Sequence, residues 1–232
     1  RKRVVILISG RGSNMAALID AAAEKDFPAE IVGVISDRAD AAGLAHAASR
    51  GIPTKALPRR DFDSKEAHDQ AIDATIHGFG GEIVCLAGYM RLLTTRFVQE
   101  WAGRMINIHP ALLPLFKGLD THRRALDAGV RLHGCTVHFV TPEMDDGPII
   151  AQAAVPVLPD DNEETLAQRV LKAEHKLYPL ALELLAQGGV RMEGGKAVFR
   201  SGASFIAPGA RLFSLAPHSA EVDVEALARF TP

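Results

Sequence analysis

Asn107 and His109 stand one residue apart at the end of a short apolar run, Met105-Ile106-Asn107-Ile108-His109, and Pro110 follows at once. In an extended segment the two polar side chains share one side and Ile108 faces the other, toward a core. Pro110 lacks an N–H and stops a strand ladder there. A neutral amide donor beside an imidazole that gains or loses a proton near neutral pH suits the stabilisation of a developing oxyanion. Taken alone, Asn-x-His also describes two hydrogen-bonded polar residues at a strand end.

Two further segments carry chemistry. Ser9-Gly10-Arg11-Gly12-Ser13-Asn14 follows an apolar run and precedes a helical pattern, so glycines permit a sharp turn while helix N-terminal amides face the loop. That is an anion cradle, or simply a strand-to-helix turn. A dinucleotide fingerprint needs a third glycine where Met15 stands, and no Gly-Lys-Ser/Thr occurs, so a single phosphate monoester is the favoured anion. Asp145-Asp146-Gly147-Pro148 reads as a turn, or as a short connection that holds the Asp145 carboxylate against His109. The nine histidines permit a metal site, but His133 and His138 fall on opposite faces of a strand and neither HxxxH nor CxxC occurs, so no metal is expected.

The elements that must position these residues alternate between short Val- and Ile-rich runs and longer helical patterns. Strands are expected at 4–9, 30–36, 82–87 and 105–109, with a minor strand at 53–56. Helices are expected at about 15–25, with Ser13-Asn14 as its cap, at 41–49 and at 64–77. Beyond Pro114 the pattern becomes a short helix at 121–127, two antiparallel runs at 132–140 and 149–157, a long amphipathic helix at 163–187 bent at Pro179, and a hairpin at 190–200. The expected fold is α/β: a Rossmann-like, mostly parallel twisted sheet with flanking helices and an antiparallel C-terminal part. One domain is expected over 1–200, with an N-terminal half of about 1–104 and a C-terminal half of about 105–200. Residues 201–232 read as a tail with one short helix at 219–230.

Composition narrows the function classes. The 232 residues are 47% hydrophobic, and 26 Lys and Arg against 28 Asp and Glu leave a formal charge of −2. That balance argues against disorder and against a polyanion-binding face, so neither nucleic acid nor membrane is an expected partner. The charge-free stretch from Met105 to Phe116 is too short to span a bilayer, and Val4–Ile8 reads as a first strand rather than a signal sequence. Cys85 and Cys135, the two cysteines, lie in separate apolar runs and read as buried thiols of a reducing compartment, with the cytoplasm the default.

In that order, Ser9–Asn14, Leu86-Ala87-Gly88-Tyr89-Met90-Arg91, Asn107–Pro114 and Asp145–Pro148 make the chain resemble the phosphoribosylglycinamide formyltransferase family over about residues 4–195. The trio Asn107, His109 and Asp145 is shared by the wider folate-dependent formyl-transfer superfamily, and the early SGxGSN loop points to the glycinamide ribonucleotide branch. The resemblance implies the formyltransferase fold and transfer of a formyl group from 10-formyltetrahydrofolate, as cosubstrate, to the amino group of glycinamide ribonucleotide, a step of purine synthesis. It assigns Asn107, His109 and Asp145 to catalysis and Gly12, Ser13 and Asn14 to the substrate phosphate. It assigns Glu174 to the glycinamide end, and Lys65, Met90, Arg91, Leu92, Leu93, Asn107, Thr141 and Met144 to folate. A monomer or homodimer is expected. Asp120 departs from the family, whose members frequently carry histidine there.

Three other readings compete with this one. Formyltetrahydrofolate deformylase shares this core but adds an N-terminal regulatory domain, whereas the core here is expected to begin at residue 4. A NAD-dependent oxidoreductase would use Gly10, Gly12 and Asp37 and leave the trio unexplained. A non-catalytic phosphosugar-binding module would need only the phosphate loop.

Overall fold

The computed structural model describes residues 1–200; residues 201–232, including the helix expected at 219–230, lie outside the described residues. Seven strands form one sheet in the order β3-β2-β1-β4-β5-β6-β7. They are β1 (Lys2–Ile8), β2 (Ala29–Ser36), β3 (Thr54–Ala56), β4 (Ile83–Leu86), β5 (Met105–His109), β6 (Leu132–Phe139) and β7 (Ile149–Pro156). The first five pair in parallel, and β6 runs antiparallel to both β5 and β7. The sheet runs unbroken across residue 104, so both expected halves share it. A separate hairpin, β8 (Val190–Glu193) with β9 (Lys196–Phe199), follows.

Among the described residues six helices flank the sheet: α1 (Ser13–Ala23), α2 (Ala42–Ser49), α3 (Lys65–Gly78), α4 (Thr95–Glu100), α5 (Thr121–Asp127) and α6 (Glu163–Ala186). Helix α4 and a 3-10 turn at Arg59–Asp61 were not anticipated. Both are too short to show periodicity, and the Thr94 hydroxyl that accepts from Phe97 N–H is the remaining local sign of α4. Helix α6 begins in a reciprocal cap between Asn162 and Thr165 and continues through Pro179.

Strand β1 is apolar on both faces because both are covered. Val4, Ile6 and Ile8 join Leu18, Leu166, Val170 and Tyr178 on the side of α1 and α6. Val5 and Leu7 join Ile72, Ile76, Phe97 and Trp101 on the side of α3 and α4. Cys85 and Cys135 are free and buried, and burial pushes both thiols up to about 12.

At Gly134 a Cβ would lie 1.9 Å from the Ala153 carbonyl oxygen on the neighbouring strand, so only glycine lets β6 and β7 approach this closely. Gly134→Ala should destabilise by about 1–3 kcal/mol or more and lower the melting temperature by several degrees. Gly78→Ala, where nothing lies within 4 Å of an added Cβ, should melt within about 2 °C of the parent. Equal melting of the two variants in a thermal scan would contradict the strand pairing.

Candidate active site

Open α/β sheets place ligands at the carboxyl ends of their parallel strands. Here β1 ends at Ile8, β4 at Leu86 and β5 at His109, and the three following segments surround one cleft of about 490 Å³. Its walls include Asn14, Met90 to Leu93, Asn107, His109, His138, Thr141, Met144, Asp145 and Glu174.

His109 is buried, with Nε2 donating to the Phe116 carbonyl at 2.9 Å. Its Nδ1 lies 3.4 Å from Asp145 Oδ2. Both ring nitrogens therefore face acceptors, and only a ring protonated on both nitrogens donates to both. Asp145 has φ of 51°, a left-handed conformation that Asp tolerates better than most residues, and its Oδ2 also accepts from Gly118 N–H at 2.9 Å. Gly147 follows so closely under β6 that a Cβ would sit 1.7 Å from the Phe139 carbonyl oxygen. The acidic turn is thus clamped onto the strand it leaves, with Asp145 turned to the imidazole.

Asn107, half-buried, has its Nδ2 3.2 Å from Nε2 of His138, its cross-strand partner. From the sequence alone His138 reads only as a candidate metal ligand. Its place beside Asn107 follows from the β5–β6 register, which no local pattern encodes. Burial lowers the His138 pKa. On the other side of the cleft, His122 and His133 lie 3.2 Å apart, and burial pushes His133 down to about 4.

At the end of β1, Gly12 takes φ of 73° directly before α1. The expected cap is corrected: Ser13 and Asn14 lie in the first helical turn, and neither side chain caps it. The Asn14 amide instead donates to Glu174 Oε2 at 2.7 Å, across to α6. The first-turn amides are left without a side-chain cap, as an anion-accepting helix end requires. Asn14 lines the cleft, Ser13 borders a shallow groove between α1 and α6, and Gly12 belongs to neither wall.

The segment after β4 is fixed by the loop after β1. Ser9 N–H donates to Gly88 O at 3.2 Å, and Ser9 Oγ accepts from Met90 N–H at 2.9 Å. Arg91 turns outward to buried Asp37, Nε to Oδ2 at 2.9 Å, so it offers the cleft its main chain and stem. Met90, Leu92 and Met144 are exposed apolar side chains at the rim. Lys65 opens α3 and is not part of the cleft wall. Asp120, with φ of 56°, precedes α5 beside His122 on that wall. Among the described residues no group of three or more His, Cys, Asp or Glu is arranged to hold a metal ion, and no helix is long and apolar enough to cross a membrane.

Glu174 is buried, and burial raises its pKa against the opposing pull of the Asn14 hydrogen bond. Because the folded value is raised, its contribution to stability is complete below the unfolded carboxylate value near about 4.3 and is lost as pH rises through the folded value. Glu174→Gln keeps an acceptor for Asn14 and has no charge to bury. Its melting temperature should match the parent at about pH 4 and exceed it at about pH 7.5. Thermal melts across that range check this, and a gain confined to the acidic end would contradict it.

The family model described as "Formyl transferase" matches residues 2–182. The trifunctional purine biosynthetic protein adenosine-3 of Bos taurus is 51% identical over 197 residues, 84% of this chain and 20% of that protein. The phosphoribosylglycinamide formyltransferase of Escherichia coli is 46% identical over 189 residues, covering 82% of this chain and 89% of that one. The chain therefore spans about a fifth of the trifunctional relative and most of the bacterial one. A crystal structure of phosphoribosylglycinamide formyltransferase from Brucella melitensis superposes with a TM-score of 0.78 at 63% identity, covering 80% of this chain and 96% of that one. A family match over the whole seven-stranded sheet and all three site-forming segments leads to one conclusion: the chain belongs to the formyl transferase family.

Proposed function

We propose that this chain transfers the formyl group of 10-formyltetrahydrofolate to the amino group of 5-phosphoribosylglycinamide, giving formylglycinamide ribonucleotide and tetrahydrofolate. One observation carries the reading: the Asn107 amide, the His109 imidazole and the Asp145 carboxylate converge on one wall of a cleft whose lining is chemically mixed. Met90 to Leu93 offer apolar side chains and main chain, joined in the lining by Thr141 and Met144, which suits a flat heteroaromatic ring that needs hydrogen bonds at its edge. The cleft also offers Asn14 and Glu174 near the uncapped start of α1, where Gly12 and Ser13 would hold a phosphate. The similarly named relatives support this choice of substrates.

The chemistry follows from what each group donates. The neutral substrate amine attacks the formyl carbon, a C–N bond forms, and the carbonyl electron pair moves to oxygen. Asn107 donates a hydrogen bond to that oxyanion, the protonated His109, whose two N–H groups face the Phe116 carbonyl and Asp145, stabilises it by its positive charge, and Asp145 holds the imidazole in place. Collapse restores the carbonyl and breaks the bond to the folate nitrogen, which receives the proton lost by the amine. Glu174 accepts from the glycinamide end and orients the amine. The reading extends to a reducing, cytoplasmic setting and to small molecules as the only partners, in a monomer or homodimer.

Asn107→Ala and His109→Ala should each lower kcat by about 10²- to 10³-fold with the melting temperature little changed. Asp145→Asn should cost at least about tenfold, with folate KM near the parent value. The assay follows loss of 10-formyltetrahydrofolate by absorbance with and without glycinamide ribonucleotide. Loss that needs the ribonucleotide and fails in the variants supports the transferase. Loss without it would mean a deformylase, and near-parent turnover in His109→Ala would remove the imidazole from the mechanism.

A further inference from the structure

An amide that stabilises an oxyanion must present N–H, not oxygen, and nothing in the shape of an asparagine side chain enforces that choice. Rotation by 180° exchanges Nδ2 and Oδ1 at almost no steric cost. At Asn107 the choice is made by a neighbour. His138 is 2% exposed, and its Nδ1 lies 2.8 Å from the Phe139 carbonyl oxygen. A carbonyl only accepts, so that contact puts the ring proton on Nδ1 and leaves Nε2 a lone pair. Nε2 is the atom 3.2 Å from Asn107 Nδ2.

We propose that His138 is a positioning residue: held as the neutral Nδ1–H tautomer by the Phe139 carbonyl, it accepts one Asn107 N–H at Nε2 and thereby fixes the amide with its second N–H available to the oxyanion. The inference rests on the formyl-transfer reading for what Asn107 donates to, and on the structure alone for the tautomer. The ring faces Asp145 from the acidic turn, with Oδ1 3.9 Å from Nε2, and His109 from β5. Asp145 favours a charged ring, whereas burial, the stronger influence, and His109 both oppose it. A second proton on Nε2 would remove the acceptor and drive Asn107 to the flipped amide.

Two readouts test this. The first is the pattern of ring nitrogen shifts in the long-range ¹H–¹⁵N spectrum of the parent protein at about pH 7.5, with the His138 signals assigned by their loss in His138→Gln. A protonated Nδ1 and a bare Nε2 are expected, and an Nε2–H tautomer or a doubly protonated ring would overturn the proposal. The second is a double-mutant cycle on turnover. His138→Ala should lower kcat about tenfold or more with folate KM unchanged, His138→Gln should recover most of that loss through its acceptor oxygen, and His138→Ala should add less than about twofold in the Asn107→Ala background. Fully additive losses would mean that His138 does not act through Asn107. A parent protein with no ribonucleotide-dependent turnover would overturn the formyl-transfer reading, and the ring tautomer would then decide the inference by itself.

Discussion

The antiparallel pairing of β6 against β5 is the constraint on which the site depends. It sets Asn107 opposite His138 and His109 opposite Thr136, so one ladder of main-chain bonds aligns the polar residues of both strands. A one-residue slip would turn His138 to the opposite face and leave the Asn107 amide without its acceptor. The reversal makes the chain leave β6 beside Met105 and Ile106, at the start of β5, and the acidic turn reaches from there to His109.

The pairing reaches further through Thr136. Its hydroxyl donates to Ala111 O at 2.7 Å and accepts from Leu113 N–H at 3.0 Å, while Gln152 on β7 donates to Leu113 O at 2.9 Å. These bonds fix the segment that carries the Phe116 carbonyl to His109. Across the cleft, Ser9 joins the loops that follow β1 and β4, and Asn14 ties the start of α1 to Glu174 on α6. Positions expected to bind two different substrates therefore share one hydrogen-bonded frame, which favours the preorganised geometry that oxyanion stabilisation requires.

What the sequence made legible, and what it hid, follows from the range of the interactions. Strands β1, β2, β4 and β5, the long helix α6 and the antiparallel run after Pro114 are written in periodicity and turn residues, which act within a few positions. The placement of Asn107 and His109 at a strand end is equally local, because Pro110 marks it. By contrast, Ser13 and Asn14 look like helix caps, yet Asn14 answers to a partner 160 residues away. His138 was hidden for the same reason, since its role exists only once β6 has a register. Helix α4 failed for a different reason: six residues are too few to show a period.

The most direct measurement is the fate of a ¹³C-labelled formyl group supplied on 10-formyltetrahydrofolate together with glycinamide ribonucleotide, read by mass spectrometry. If the converging amide, imidazole and carboxylate direct attack by the substrate amine, the label appears in formylglycinamide ribonucleotide and scarcely in free formate. Label released as formate at the same rate with or without the ribonucleotide would show that water, not the amine, is the nucleophile, and would contradict the account.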